Sequence, residues 1–390
     1  MTTADYLVIG SGLTGSTVAR VLADHGREVL MLERRQHVGG NVHDVTHSSG
    51  IRVHSYGPHY FRCSSRRVWD FASRFAEFRP HEAVVKCRVD DRYEDWPINR
   101  KLFEQYPGWE EHRPSGMPAN FEQACLQKMP RPLYETFIKP YTLRQWGVEP
   151  CQLSPQLAAR IRVNAPHESI LTPLHTYQGL PTGGYAQFMR SIIAGIPCLS
   201  GVDYLQHRDE FRARKAVIFT GPIDEYFGFY LGRLAYRSQR RTHRFVPNAG
   251  LLQPCAQVNF PAPGEHGPIR TIEWKHLLPE EVRRHIRGTV LTREFPYSPE
   301  DPDHYEYPFP DARNRTLYGH YRRRAEQLPN LIICGRLGEY RYFDMDQAIG
   351  RALMIAERRC ACQPLQPGRI VRGSAPQAAR LTPSSHLAKC

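Results

Sequence analysis

Near the start of the chain, Tyr6 to Ala19 read YLVIGSGLTGSTVA, an apolar run that breaks at Gly10, Gly12 and Gly15. Few patterns restrict a fold more. The first glycine permits a tight strand-to-helix turn, the second lets backbone approach a pyrophosphate, and the third lets the helix pack on the strand. Helical spacing then runs over Ser16–His25, a second strand is expected over Glu28–Leu32, and Glu33 follows where a ribose-binding carboxylate belongs. A glycine-rich turn without a ligand is the plainer reading. Strand, helix and carboxylate together weigh against it.

After Glu33 the chain reads RRQHVGGN, and the pair Gly39-Gly40 suits backbone lying against a cofactor rather than the helix of a simple NAD unit. The expected cofactor is therefore FAD, cradled by Gly10, Gly12, Leu13, Thr14, Gly15, Glu33, Arg34, Gly39, Gly40 and Asn41. Near the other end, Leu331 to Leu353 read LIICGRLGEYRYFDMDQAIGRAL. A strand over Leu331–Arg336 would return to the same sheet and bring Gly335-Arg336, and a helix starting near Asp346, onto the flavin.

A chain of 390 residues, 41% hydrophobic and 23% charged, can bury a large core and form two or three domains. No apolar run approaches about 18 residues and no basic-then-apolar leader is present, so the expectation is a cytoplasmic protein with no membrane partner. The formal charge of +13 comes from arginines spread along the chain. That argues against nucleic acid as a partner and for a small anionic substrate. The ten cysteines form no CxxC pair and no metal-ligand spacing, which points to reduced thiols and no metal site.

Further along, Ala83–Trp96 read as strands around an Asp90-Asp91 hairpin turn, and Phe121–Gln127, Pro132–Ile138 and Pro155–Val163 read as proline-separated helices. Ala216–Thr220 is an apolar strand suited to the flavin sheet, and Ala256–Phe260 and Ile269–Trp274 are strands of another region. The expected class is α/β, a Rossmann-like FAD-binding domain with a helical domain and an antiparallel β-sheet domain. The FAD-binding domain takes 1–80, 198–228 and 328–362. The helical domain takes 98–165, followed by a substrate loop over 164–185. The antiparallel domain takes 81–97, 186–197 and 229–327, and 363–390 is an expected disordered tail.

Six stretches carry a more specific signal: HVGGN at His37–Asn41, YGPHYF at Tyr56–Phe61, KPYTLRQWG at Lys139–Gly147, YQGLPTGGY at Tyr177–Tyr185, TGPIDEYF at Thr220–Phe227 and GRLGEYRYFDM at Gly335–Met345. In this order the chain resembles the bacterial UDP-galactopyranose mutases from about residue 4 to residue 358. The resemblance implies an enzyme that interconverts pyranose and furanose forms of a nucleotide sugar. It also implies FAD active in its reduced form, with flavin N5 as the nucleophile, an NAD(P)H-dependent or other flavin reductant, and a homodimer.

The resemblance places His59 and Arg336 beside the reacting flavin, with Tyr342, Asp344 and Met345 completing the cofactor set. Arg270 matches a pyrophosphate-binding arginine, Tyr141 and Trp146 a nucleotide pocket, and Tyr177, Tyr307, Tyr342 and Asp344 the substrate cleft. Core packing is the alternative for the aromatic residues, helix capping for Asp344, and a satisfied core imidazole for His59.

Two departures stand out. The family's mobile loop carries an arginine, whereas Asn164–Tyr185 contains no arginine or lysine, leaving Arg162, His167 and His175 as candidates. An unreplaced charge-assisted bond costs about 1.5 to 3 kcal/mol. Second, Arg62 stands where galactose-specific members have histidine, which points to an N-acetylated or otherwise substituted sugar. The stretch between Trp96 and Lys139 is also short for the family. An FAD-dependent oxidase or dehydrogenase and a non-catalytic nucleotide-sugar-binding relative are the competing readings.

Overall fold

The computed structural model describes residues 1–96, 98–161, 163, 176–262, 264 and 267–361. Arg162, His167, His175 and the tail lie outside them.

The glycine-rich turn opens a five-stranded, all-parallel sheet ordered Cys198–Ser200, Val29–Glu33, Thr2–Ile9, Phe211–Phe219, Leu331–Ile333. Both neighbours of Thr2–Ile9 come from crossovers, so a crevice opens at its carboxyl end, where open α/β sheets bind ligands. The helices Leu13–Asp24 and Met345–Ala361 pack on each other beside this sheet. The second arrives from the far end of the chain because Leu331–Ile333 pairs with Val217–Phe219. That strand is shorter than expected. Gly335, at φ 85°, turns the backbone into a one-turn helix, Gly335–Gly338.

A seven-stranded sheet runs Tyr307–Pro308, Tyr236–Pro247, Gly288–Tyr297, Arg270–Glu273, Gln257–Asn259, Val85–Val89, Arg92–Trp96. It is antiparallel except where Gln257–Asn259 runs parallel to Val85–Cys87. Asp90 and Asp91 both adopt positive φ, 46° and 63°, giving the two-residue turn the sequence signalled.

Residues 121–160 form short helices around Phe121, Tyr134, Phe137 and Trp146. Prolines cut them short: Pro130 precedes Arg131–Leu133, and a π-helical turn over Tyr134–Ile138 leads into Lys139–Trp146. Gly147, at φ 72°, ends that helix by donating to the Leu143 carbonyl. Pro155–Arg160 is a 3₁₀ helix rather than an α-helix running to Val163.

Two expectations about organisation change. Residues 186–197 were placed with the antiparallel sheet, yet helix Tyr185–Ile192 buries Tyr185, Phe188, Met189 and Ile192, at spacing i, i+3, i+4, i+7, in the core that holds Val18, Val21 and Met31. Tyr177–Pro181, expected within a loop, is a strand between Phe61–Cys63 and Phe78–Pro80. Among the described residues no helix is long and apolar enough to cross a membrane.

Candidate functional site

One crevice is lined by Gly10, Gly12, Leu13, Thr14, Gly15, Glu33, Arg34, Gly39, Gly40, Asn41, His59, Arg336 and Met345, so the expected cofactor residues meet except Tyr342 and Asp344. Its floor fits a dinucleotide. A Cβ on Gly15 would lie 2.0 Å from the Gly10 carbonyl oxygen and one on Gly10 2.2 Å from Thr220 Oγ1, whereas one on Gly12 would meet nothing within 4 Å. The outer glycines close the turn, and the middle one leaves room for a pyrophosphate. Gly40 approaches from the opposite side, where its Cβ would be 3.0 Å from Gly12 Cα.

Glu33, 5% exposed, accepts from the Ser11 amide at 2.8 Å, the Ser11 hydroxyl at 2.6 Å and the Arg35 amide at 2.9 Å. A carboxylate with about four lone-pair sites retains one for a ribose hydroxyl. Arg34 lines the crevice, but its guanidinium is occupied by protein: it donates twice to Glu225, at 2.9 and 2.5 Å, and lies 3.0 Å from Asp303. It therefore straps the crevice rather than offering its fork to a phosphate. Arg35 and Asp303 also line the crevice and gave no sequence signal. Arg35 donates to Asn41 Oδ1 and to the Asp303 carbonyl, each at 2.9 Å.

His59 Nδ1 sits 2.8 Å from the Gly57 carbonyl and donates to it, leaving the lone pair on Nε2. Burial, aided by the Arg336 and Arg241 charges, lowers its pKa to about 4 although the Gly57 bond works the other way, so the ring is neutral near pH 7. Arg336 donates to the Phe343 carbonyl at 2.8 Å and stacks on Tyr342 at 4.9 Å, with Tyr307 at 5.9 Å. The rings of Tyr307 and Tyr342 are stacked, 6.2 Å apart.

Beyond Arg336 lies a second group of charges built by strand register. Glu294 is directly opposite Arg241 on one side and Arg270 on the other. It is 0% exposed and ion-paired to both, at 2.9 Å from Arg241 Nε and in direct contact with Arg270 Nε. Burial opposes its ionisation, but the two guanidiniums outweigh that and hold its pKa below the usual glutamate value. Arg241 is shared with buried Glu306, at 2.7 and 2.8 Å. Arg270 is thus held by Nε, which leaves its two terminal nitrogens for a ligand, beside Tyr141 and Tyr307. Arg241, Glu294 and Glu306 were missed because their meaning lies in cross-strand register, which no local spacing reveals.

Asp344 accepts from the Tyr342 hydroxyl at 3.0 Å and lies 3.9 Å from Arg62. At the start of the following helix, Gln347 accepts from the Asp344 amide at 3.1 Å. Arg160, which sequence reasoning passed over, places its guanidinium carbon 3.7 Å from the Tyr342 ring centre. It is exposed and, among the described residues, has no carboxylate within ion-pairing distance.

Two expected substrate residues are placed elsewhere. Tyr177 pairs with Cys63, while Arg62 pairs with Gln178. Side chains alternate along a strand, so Tyr177 faces away from Arg62 and stacks on Trp69 at 5.0 Å. Trp146 is 7% exposed in the helical core, edge-on to Phe309 at 5.7 Å, and packs rather than lining the cleft.

A Rossmann sheet, a glycine cradle and a terminal segment folded back over it define the chain as a flavin-binding enzyme of the Rossmann type. An NAD(P)-binding Rossmann-like pattern matches residues 8–75, and the UDP-galactopyranose mutase pattern matches residues 136–342. A probable UDP-galactopyranose mutase of Klebsiella pneumoniae is 30% identical, covering 92% of this chain and 95% of its own length. A dTDP-fucopyranose mutase of Escherichia coli is 28% identical over 90% of this chain and 97% of its own length. The crystal structure of a reduced UDP-galactopyranose mutase superposes with a TM-score of 0.74 at 15% identity, covering 93% of this chain and 95% of that one, a likeness of fold. The chain belongs to the UDP-galactopyranose mutase family, the flavin-dependent nucleotide-sugar mutases.

Proposed function

We propose that this enzyme uses reduced FAD to interconvert the pyranose and furanose forms of a nucleoside-diphosphate hexose, either UDP-galactose or an N-acetylated or deoxy relative. The carrying observation is that His59 and Arg336 line the crevice and that Arg336 stacks on Tyr342, around which Tyr307, Asp344 and Arg160 gather, with Arg270 beside Tyr307. When bound, reduced flavin supplies the N5 nucleophile for the anomeric carbon, so no nucleophilic side chain is required.

The chain's own residues bind, orient and hold protons. Arg270, fixed by Glu294, and Arg160, stacked on Tyr342, clamp the diphosphate as its bond to the anomeric carbon breaks and re-forms. Arg160 supplies the second clamp arginine that Asn164–Tyr185 lacks. The Tyr307 and Tyr342 phenols add hydrogen-bonding capacity without charge. Neutral His59 offers an acceptor at Nε2, while Arg62 and Asp344 bracket the sugar. The ring oxygen changes from one hydroxyl to another with no net redox change, so NAD(P)H or another donor would serve to keep bound flavin reduced and would not be consumed in each turnover. Membership of the family supports a cytoplasmic homodimer.

The test is isomer formation. Protein carrying FAD is reduced with dithionite and incubated with UDP-galactose, UDP-N-acetylgalactosamine and dTDP-fucose, and products are followed by anion-exchange chromatography with mass detection. An isomer of unchanged mass, formed only with reduced flavin, is expected. A product two mass units lighter would show an oxidase instead.

A further inference from the structure

The peptide of His59 is held from several sides. Its N–H donates to His54 Nδ1 at 3.0 Å, its carbonyl accepts from the Tyr185 hydroxyl at 3.1 Å, and its ring donates to the Gly57 carbonyl at 2.8 Å. His54 is 4% exposed and packs edge-on to Tyr185 at 5.2 Å and against Trp274 at 4.9 Å. A ring nitrogen that accepts from an amide carries its lone pair there, so His54 holds its proton on Nε2 and is neutral. Burial, with His59 and Arg52 nearby, also keeps His54 uncharged, its pKa well below the ordinary histidine value. Neither His54 nor Tyr185 lines the flavin crevice.

The turn carrying His59 also rests on the buried ion pairs. Gly57 has φ 86°, and a Cβ there would lie 2.7 Å from Glu294 Oε1. One short turn therefore touches both the carboxylate that anchors Arg270 and the backbone that presents His59.

We propose that His54 and Tyr185 are a positioning pair that clamps the His59 peptide, so that the His59 imidazole meets the flavin in one tautomer, with Nδ1–H on Gly57 and Nε2 as the acceptor. This role rests on the functional reading above, which puts His59 beside the flavin. Neither residue touches a reacting atom; both act through His59. Without the His54 acceptor, the His59 amide is left unpaired in a partly buried turn, which must loosen to hydrate it. The groups facing His59 are Arg336, Arg241, Glu294, His54 and Tyr185. Water entering among them would return the ring toward ordinary titration.

The test compares His54→Leu, which fills the space without an acceptor, with His54→Asn, whose Oδ1 can replace Nδ1. In full-length protein labelled with ¹³C-histidine, the His59 ring is assigned with His59→Gln and titrated by NMR. Wild type and His54→Asn are expected to titrate together, and His54→Leu at least one pH unit higher. In isomerisation, His54→Leu should lose at least tenfold in kcat with KM within twofold, and His54→Asn should recover most of the loss. If His54→Leu does not fold, Tyr185→Phe removes the other anchor and should shift His59 in the same direction. Titration of His54→Leu like wild type, or an equal shift in His54→Asn, overturns the proposal. The titration needs no substrate, so a chain that isomerises no sugar would refute the functional reading while leaving the clamp decided separately.

Discussion

Replacing Arg160 with glutamine removes a guanidinium that stacks on Tyr342 and, among the described residues, has no carboxylate within ion-pairing distance. In the free enzyme little else should change, because the side chain is exposed and leaves no buried charge unpaired. The cost falls on the bound diphosphate. One charge-assisted hydrogen bond contributes about 1.5 to 3 kcal/mol, or roughly 10- to 150-fold in affinity. Exposure favours the lower end through solvent screening. Calorimetry with UDP at low and high salt should therefore show Arg160→Gln binding at least tenfold weaker at low salt, with a shallower salt dependence than wild type. Arg160→Lys should recover only part, because an ammonium keeps the charge but loses the planar fork. UDP binding by Arg160→Gln within twofold of wild type at low salt would refute the assignment and return the second clamp to the 162–175 stretch.

Glu294→Gln should destabilise the protein by about 3 to 5 kcal/mol, as when one partner of a buried ion pair is removed, measured by urea unfolding at pH 7. The folded pKa of Glu294 lies below its unfolded value, so its contribution is complete above the unfolded pKa and is lost as pH falls through the folded one. The gap between wild type and variant should therefore narrow below pH 4.5. Gly15→Ala forces a Cβ to 2.0 Å from the Gly10 carbonyl oxygen, and purified protein should carry no flavin by visible absorbance. Tyr177→Phe keeps the ring on Trp69 and should leave KM within twofold in steady-state assays. Arg62→His should raise the ratio of kcat/KM for UDP-galactose over UDP-N-acetylgalactosamine in a competition assay.

The dinucleotide crevice was legible because its chemistry is local: Gly10, Gly12, Gly15, Gly39 and Gly40 each act within a few residues of their position in the chain, and all line one crevice. The hairpin at Asp90-Asp91 was legible for the same reason. What escaped was set by register and by packing between distant segments. Tyr177 belongs to a matching stretch, yet its face of the strand depends on pairing with Cys63, 114 positions earlier. Arg34 reads as a cofactor-binding residue, yet Glu225 and Asp303 occupy its guanidinium. Trp146 sits in the same motif as Tyr141, but five positions along a helix carry it to the face that meets Phe309. Motif membership located the neighbourhood of these side chains and left their direction open.

Charge balance narrows the substrate further. Among the described residues, the guanidiniums of Arg62, Arg160, Arg241, Arg270 and Arg336 stand with the carboxylates of Glu294, Glu306 and Asp344, an excess of two positive charges. A sugar diphosphate ester carries about two negative charges, so a neutral hexose satisfies the cleft. A uronate would add a third charge beside Asp344, whose carboxylate already lies 3.9 Å from Arg62. At a separation of about 6 Å and an effective dielectric of roughly 20 to 60, that repulsion is roughly 1 to 3 kcal/mol. UDP-galacturonate should accordingly bind at least fivefold more weakly than UDP-galactose in calorimetry, and Asp344→Asn should narrow the difference by removing the opposing charge. Equal affinity for the two in wild type would mean that Arg62 leaves Asp344 to meet the sugar, and the positive excess would then belong to the hexose as well as to its diphosphate.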